Sequence, residues 1–463
     1  MKYIDDDRIQ GLLSDAVPSA KASADKVEAI LKKARTLKRL SLEETAALLA
    51  VEDPAIVNKI YEAAAYVKNE IYGNRIVLFA PLYISNYCAN KCLYCAFHSG
   101  NPELKRKYLN ADEIREQVEW LLKRGHKRIL VVAGESGIPG KSPIEYYTEA
   151  VQAAYSARVG PHYIKRVNIN CAPLSVEDFR KLKASQIGTF QLFQETYHDA
   201  TYRKCHVSGP KSDPDNRLDS IDRAFEAGID DVGIGPLYGL YDYKFETLAM
   251  MMHIEHLEKK FKVGPHTISV PRIEPAVGSE FSLHPPYRVS DDEFKKLVAV
   301  IRLSVPYTGM ILTTRETAKM RDEVINLGIS QISAESKTSP GGYSDDEKWD
   351  GQFSTSDKRS LDQLVLMLVE HKYIPSFCAA CYRRERTGEN FMNLAKPGLI
   401  KGMCSVNALV TFKEYLDDFA SPAVKASGYK LIERETAKLD EKSRAQTAKL
   451  FSAVDAGMRD EYV

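Results

Sequence analysis

Residues 75–97 read RIVLFAPLYISNYCANKCLYCAF. The first eleven, RIVLFAPLYIS, are apolar, aromatic and β-branched, the composition of a buried strand. Seven further runs of this kind follow: RILVVAGE (128–135), KRVNINC (165–171), TFQLFQE (189–195), DVGIGP (231–236), TISVP (267–271), GMILTT (309–314) and QISAES (331–336). An amphipathic, helix-period stretch follows each strand, near 111–124, 145–157, 176–185, 216–228, 245–261, 291–304, 316–327 and 358–371. Eight successive strand–helix units predict an α/β fold with a parallel sheet closed as a (β/α)8 TIM barrel over 73–374. An open doubly wound sheet also explains the alternation, but a count of eight favours closure. Residues 1–72 predict a helical extension, with Ser41 and Glu44 spaced as a capping box. Residues 375–463 leave the alternating pattern and predict an appended, mainly helical domain that starts with cysteines.

The 463 residues are 44% hydrophobic and 27% charged, as in ordinary globular proteins. Lys and Arg number 64 against 63 Asp and Glu, a net charge of +1 that gives no sign of a nucleic-acid or membrane-surface partner. The N-terminal MKYIDDDRIQ is acidic where a secretory signal would be apolar, so a cytoplasmic protein is expected. Eight cysteines in that compartment serve metal or redox chemistry rather than disulfides.

Cys88, Cys92 and Cys95 follow the first strand with the spacing C-x3-C-x2-C. Three thiolates in so short a loop suit three irons of a 4Fe–4S cubane and leave the fourth iron open. An open iron at the C-terminal mouth of a barrel is what S-adenosylmethionine (SAM) requires when its amino and carboxylate groups chelate the metal, as in radical SAM enzymes. Zinc is the alternative, with His98 the only nearby fourth ligand. Other candidates fall on the same rim. Gly134-Glu135 resembles the superfamily's Gly-Gly-Glu element, which touches the methionine amine. Tyr94, between two ligands, resembles the superfamily residue that packs near the adenine, and Gln194, Glu195, Gly233 and Gly235 are placed to reach the nucleoside. Cys171 and Cys205 have no partner spacing and read as buried packing residues.

Cys378, Cys381 and Cys404 form a second set, C-x2-C-x22-C, again with no fourth ligand following. A second 4Fe–4S cluster with an open iron is expected there, able to take a small ligand or an extra metal.

LFAPLYISNYC (78–88), QLFQETYH (191–198), GPHTISVPR (264–272), CAACYRRERTGENFM (378–392) and GMCSVNALVTFKEYL (402–416) together closely resemble the HydG family. These are radical SAM tyrosine lyases that mature diiron (FeFe) hydrogenase, and the resemblance spans about 70 to 420. It implies cleavage of the Cα–Cβ bond of L-tyrosine to p-cresol and dehydroglycine (2-iminoacetate). The latter is converted to carbon monoxide and cyanide at the C-terminal cluster, for an Fe(CO)2(CN) synthon. It also implies an extra iron on that cluster, bridged by free cysteine and held by His266, which starts the sixth strand at the bottom of the barrel. The fragment would then cross the barrel interior. Arg315 and Arg272 both follow strands on the active face and are candidates for the tyrosine carboxylate, Arg315 preferred because Thr313-Thr314-Arg315-Glu316 resembles the family's carboxylate-binding segment. A reductant such as ferredoxin or flavodoxin and HydE- and HydF-like maturation proteins are the implied partners. Two alternatives stay open: a ThiH-like 2-iminoacetate synthase of thiamine biosynthesis, which lacks the second cluster, and a non-catalytic iron–sulfur carrier.

Overall fold

The computed structural model describes residues 1–22, 24–344, 350–384 and 386–463, so Glu385 of the 378–392 run lies outside it. One parallel sheet organises the chain: β1 Arg75–Ser85, β2 Arg128–Ala133, β3 Arg166–Asn170, β4 Phe190–Gln191, β5 Val232–Ile234, β6 Thr267–Ser269, β7 Gly309–Leu312, β8 Gln331–Ser333 and β9 Ile374–Ser376. β1 to β8 pair in sequence order, and β8 returns to β1 through Val77↔Gln331, Leu78↔Ile332 and Phe79↔Ser333. The barrel is therefore closed, and each of the eight expected runs supplies one of its strands. β9 is an addition. It pairs with the start of β1, Arg75↔Ile374 to Val77↔Ser376, and straddles the expected boundary at 374/375.

Among the described residues four helices precede the barrel: α1 Asp6–Ala22, α2 Ala24–Ala34, α3 Leu42–Leu49 and α4 Pro54–Tyr72. Ser41 and Glu44 form the expected capping box of α3: the Glu44 amide donates to Ser41 Oγ (3.2 Å) and the Ser41 amide to Glu44 Oε2 (2.7 Å). α3 and α4 pack on the barrel helix Asp291–Ser304, where Thr45 Oγ1 meets Ser304 Oγ at 2.9 Å. One apolar core runs without a break from these helices through the barrel to Leu431 and Ile432, so the extension is not a separate body. After β9, helix Ile400–Asp418 lies against β9, β1 and α4 and carries Cys404 beneath the barrel.

Inward side chains alternate with a period of two. Val77, Arg128, Gly309 and Gln331 line a lower cavity. Two residues on along the same strands, Phe79, Leu130, Ile311 and Ser333 line an upper one. The two spaces are thus one layer of side chains apart, roughly 7 Å at about 3.3 Å per residue.

Candidate active site

The upper cavity, about 1270 Å³ with its open mouth, stands at the C-terminal end of the strands, where barrel enzymes keep their chemistry. Cys88, Cys92 and Cys95 all line it. Their loop is held by antiparallel pairing of Lys91–Cys92 with His206–Ser208 and by the Leu93 amide, which donates to the carbonyl of Cys205 (3.0 Å). The Cys205 side chain packs beside Cys92 and Tyr94, and Cys171 is buried in the main core. Burial pushes the three loop thiols up, Cys95 to about 11. Gly134 closes the loop from the other side: a Cβ there would lie 2.1 Å from the Tyr87 carbonyl, so only glycine lets β2 end against it.

Tyr94 reaches the cavity wall and hydrogen-bonds His206 Nε2 at 2.9 Å. His206 Nδ1 faces the Tyr202 carbonyl at 2.8 Å and must carry the proton, so Nε2 accepts from the Tyr94 hydroxyl. Burial keeps this imidazole neutral, its pKa far below the usual value.

Glu135 and Glu195 line the cavity with two cations that sequence reasoning missed, Lys211 and Arg217. Arg217 Nη1 donates to Glu135 Oε1 (2.8 Å), Lys211 Nζ donates to Glu195 Oε1 (2.7 Å), and cross-pairs stand at 3.5 and 3.8 Å. Asn90, also missed, donates to Glu135 Oε2 (2.9 Å) and accepts the Lys211 amide (2.8 Å). Burial alone would raise the Glu135 pKa, but the charges of Arg217 and Lys211 overcome it and hold the carboxylate below its usual range. Two anions and two cations give this wall no net charge, which suits a zwitterionic ligand.

Arg315 stands across the same cavity over Phe353, its pKa pulled down by burial. Gln352 bridges Tyr83 and the cluster loop, accepting from Tyr83 Oη (2.9 Å) and pointing Nε2 at Cys95 Sγ (3.6 Å). Arg272, by contrast, is absent from the lining and turns away from it. It clasps Glu316 with Nε (3.0 Å) and Nη2 and donates from Nη1 to Asp291 and the Val289 carbonyl (2.9 Å each). Gln194 also points away, toward the Pro214 carbonyl (3.2 Å) and Met1 Sδ (3.3 Å). Gly233 and Gly235 do not line the cavity. The space a Cβ would take at Gly233 is filled by Thr267 and Gln191, and at Gly235 by the Ser269 carbonyl, so both serve close strand packing.

The lower cavity, about 600 Å³, is lined by Cys378, Cys381, Cys404 and His266 together with Arg75 and Arg128. His266, just before β6, faces into it, with the Phe391 ring centroid 4.2 Å away and tilted by 50°. Its Nδ1 is buried without a hydrogen bond, and so are Arg75 Nε and Ser376 Oγ of the same lining. Buried polar atoms without partners are costly, and several around one space fit a site that receives a polar or metallic group. Cys404 is held below the usual thiol range by its hydrogen bond with Cys381 and by the Arg75 charge. Among the described residues no three His, Cys, Asp or Glu side chains converge on a single metal ion.

Residues 82–254 match the radical SAM superfamily profile, and residues 269–374 match the biotin and thiamin synthesis associated domain. The 2-iminoacetate synthase of Salmonella typhimurium is 32% identical over 346 residues, 72% of this chain and 86% of that protein. The crystal structure of HydG, a maturase of the [FeFe]-hydrogenase, is 49% identical with full coverage of both chains and a TM-score of 0.95. HydG from Carboxydothermus hydrogenoformans is 39% identical over 96% of this chain and 97% of that one, with a TM-score of 0.84. No described helix is long and apolar enough to cross a membrane.

Proposed function

The chain belongs to the radical SAM lyases that include the 2-iminoacetate synthases and the HydG maturases, and on that premise we propose that it cleaves L-tyrosine to p-cresol and dehydroglycine and turns the latter into carbon monoxide and cyanide. Cys88, Cys92 and Cys95 would hold the 4Fe–4S cluster in the upper cavity, and with SAM it would supply the radical chemistry. Cys378, Cys381 and Cys404 would hold an auxiliary cluster and His266 a further iron, which would supply the metal surface for the second conversion and the iron of the Fe(CO)2(CN) cargo for hydrogenase assembly.

The chain's own residues divide the work. The Glu135–Arg217–Lys211–Glu195 wall, with Asn90, takes the ammonium and carboxylate ends of methionine. Tyr94, its hydroxyl committed to His206, offers its ring face to the adenine. Arg315 takes the tyrosine carboxylate, its guanidinium kept flat by Phe353, and the apolar strand residues Phe79, Leu130 and Ile311 exclude water below the substrate. The fragment leaves downward past the adjoining rows of strand side chains that line the two cavities.

The observation that carries this reading is the second thiol-lined cavity at the opposite end of the same barrel. Anaerobic reconstitution with SAM, reductant and tyrosine tests it. Carbon monoxide and cyanide accompanying p-cresol support it. p-Cresol alone assigns the chain to 2-iminoacetate synthesis, and no p-cresol removes both.

A further inference from the structure

Strand β4 contributes only Phe190 and Gln191 to the sheet. The chain then runs on to Glu195, whose φ of +69° places a non-glycine residue in the left-handed region. L-residues enter that region only when their surroundings hold them there. The result matters to the site, because this turn aims the Glu195 carboxylate at Lys211 and Arg217.

The next two residues show what does the holding. The Tyr197 amide donates to Glu246 Oε2 (2.8 Å), and the Thr196 hydroxyl hydrogen-bonds Glu246 Oε1. Thr196 Oγ1 also accepts the His198 amide (3.2 Å), so Glu246 holds two residues directly and a third through Thr196. Glu246 comes from the first turn of helix Tyr243–Phe261 and is 0% exposed. Among the described residues no cation lies within 4.0 Å of it. A carboxyl without a counterion is an expensive way to fill a core position. Its acceptors are spent wholly on the turn. Burial raises its pKa to about 8, so at neutral pH it serves as an uncharged acid and adds little field of its own to the cavity.

We propose that Glu246 is a positioning residue for the SAM subsite: by bracing Thr196 and Tyr197 it holds Glu195 in the left-handed turn from which its carboxylate orders Lys211 and Arg217. Glu246 touches no ligand. The inference rests on the reading that the Glu135–Arg217–Lys211–Glu195 wall receives SAM.

The test is SAM binding to the anaerobically reconstituted full-length protein by equilibrium dialysis, with thermal unfolding and iron content as controls. Glu195→Gln should weaken SAM binding about tenfold or more. Glu246→Leu should weaken it similarly with iron content unchanged, whereas Glu246→Gln, which keeps an acceptor for Tyr197 and a donor for Thr196, should stay within about threefold of the parent. The double variant Glu195→Gln/Glu246→Leu should be no weaker than the worse single one, because both act through one carboxylate. If Glu246→Leu does not fold, Thr196→Val, which removes only the hydroxyl, takes its place with a several-fold loss expected. Parent-like SAM binding by a folded Glu246→Leu or by its Thr196→Val replacement, or multiplicative loss in the double variant, overturns the brace while leaving the SAM wall standing. Parent-like binding by Glu195→Gln overturns the underlying assignment, and the brace falls with it.

Discussion

The Arg315 guanidinium lies 3.2 Å from the centroid of the Phe353 ring, and among the described residues no carboxylate approaches it within 4.0 Å. A cavity-facing cation without a counterion is poised for an anionic ligand, and the ring beneath restricts it to an in-plane, two-pronged grip. Arg315→Ala should raise the tyrosine KM by about 10–100-fold, the worth of a charged hydrogen-bond pair at roughly 1.5–3 kcal/mol. Arg315→Lys should recover only part, since an ammonium cannot bind bidentately. Initial rates of p-cresol formation against tyrosine concentration check this, and an unchanged KM in the alanine variant refutes the assignment.

Arg272 gives the contrasting expectation. Its partner Glu316 is 2% exposed, so Arg272→Ala strands a buried carboxylate and should cost on the order of 3 kcal/mol of stability. Replacing both residues by leucine should cost less than the single change. Denaturant unfolding reads the difference; a larger loss in the double variant would show that the ion pair, rather than the stranded charge, sets the cost.

His266 separates the two halves of the reaction. His266→Ala removes a side chain of the lower cavity and none of the upper. It should therefore leave p-cresol formation near the parent rate while carbon monoxide falls to a small fraction. Gas-phase carbon monoxide measured against p-cresol in the same vial decides, and parallel loss of both products would rule out a role confined to the lower end.

Glu246 also makes a pH prediction. Its folded pKa, about 8, is raised above the usual 4.5 by burial. Its contribution to stability is thus fully present below pH 4.5 and is lost as pH rises through 8. Glu246→Gln, which cannot ionise, should unfold at a higher temperature than the parent at pH 8.5 and gain much less at pH 5. Equal shifts at both pH values would mean that Glu246 is not the group that titrates.

The barrel was legible because eight apolar runs alternate with amphipathic ones, and the cluster loop because cysteine spacing is a strong local signal. Gln194 and Arg272 were misplaced for one cause, the two-residue period of an extended chain, and Gly233 and Gly235 because close strand packing fills the space beside them. Gln191, Phe193 and Glu195 line the cavity while Gln194 falls on the other parity; Pro271 and Ile273 line it while Arg272 does not. Thr313, Thr314 and Arg315 all line the cavity just past β7, so the preferred arginine is in it. Lys211 and Arg217 carried no such signal: they reach the wall only because the chain after Cys205 folds back across the cluster loop. β9 was missed because Ile-Pro-Ser is too short and contains a proline, a residue kept to sheet margins.

That small ninth strand limits how the chain can be shortened. Ending it at 373 would strip the partners of three backbone positions at the start of β1, Arg75 to Val77, and uncover the side of helix α4 where Ile400–Asp418 now rests. A bare strand margin beside greasy surface invites self-association. A truncated form should therefore precipitate or collect chaperones rather than behave as a tidy one-cluster lyase, and converting one enzyme type into the other by deletion would need a new cover for that seam.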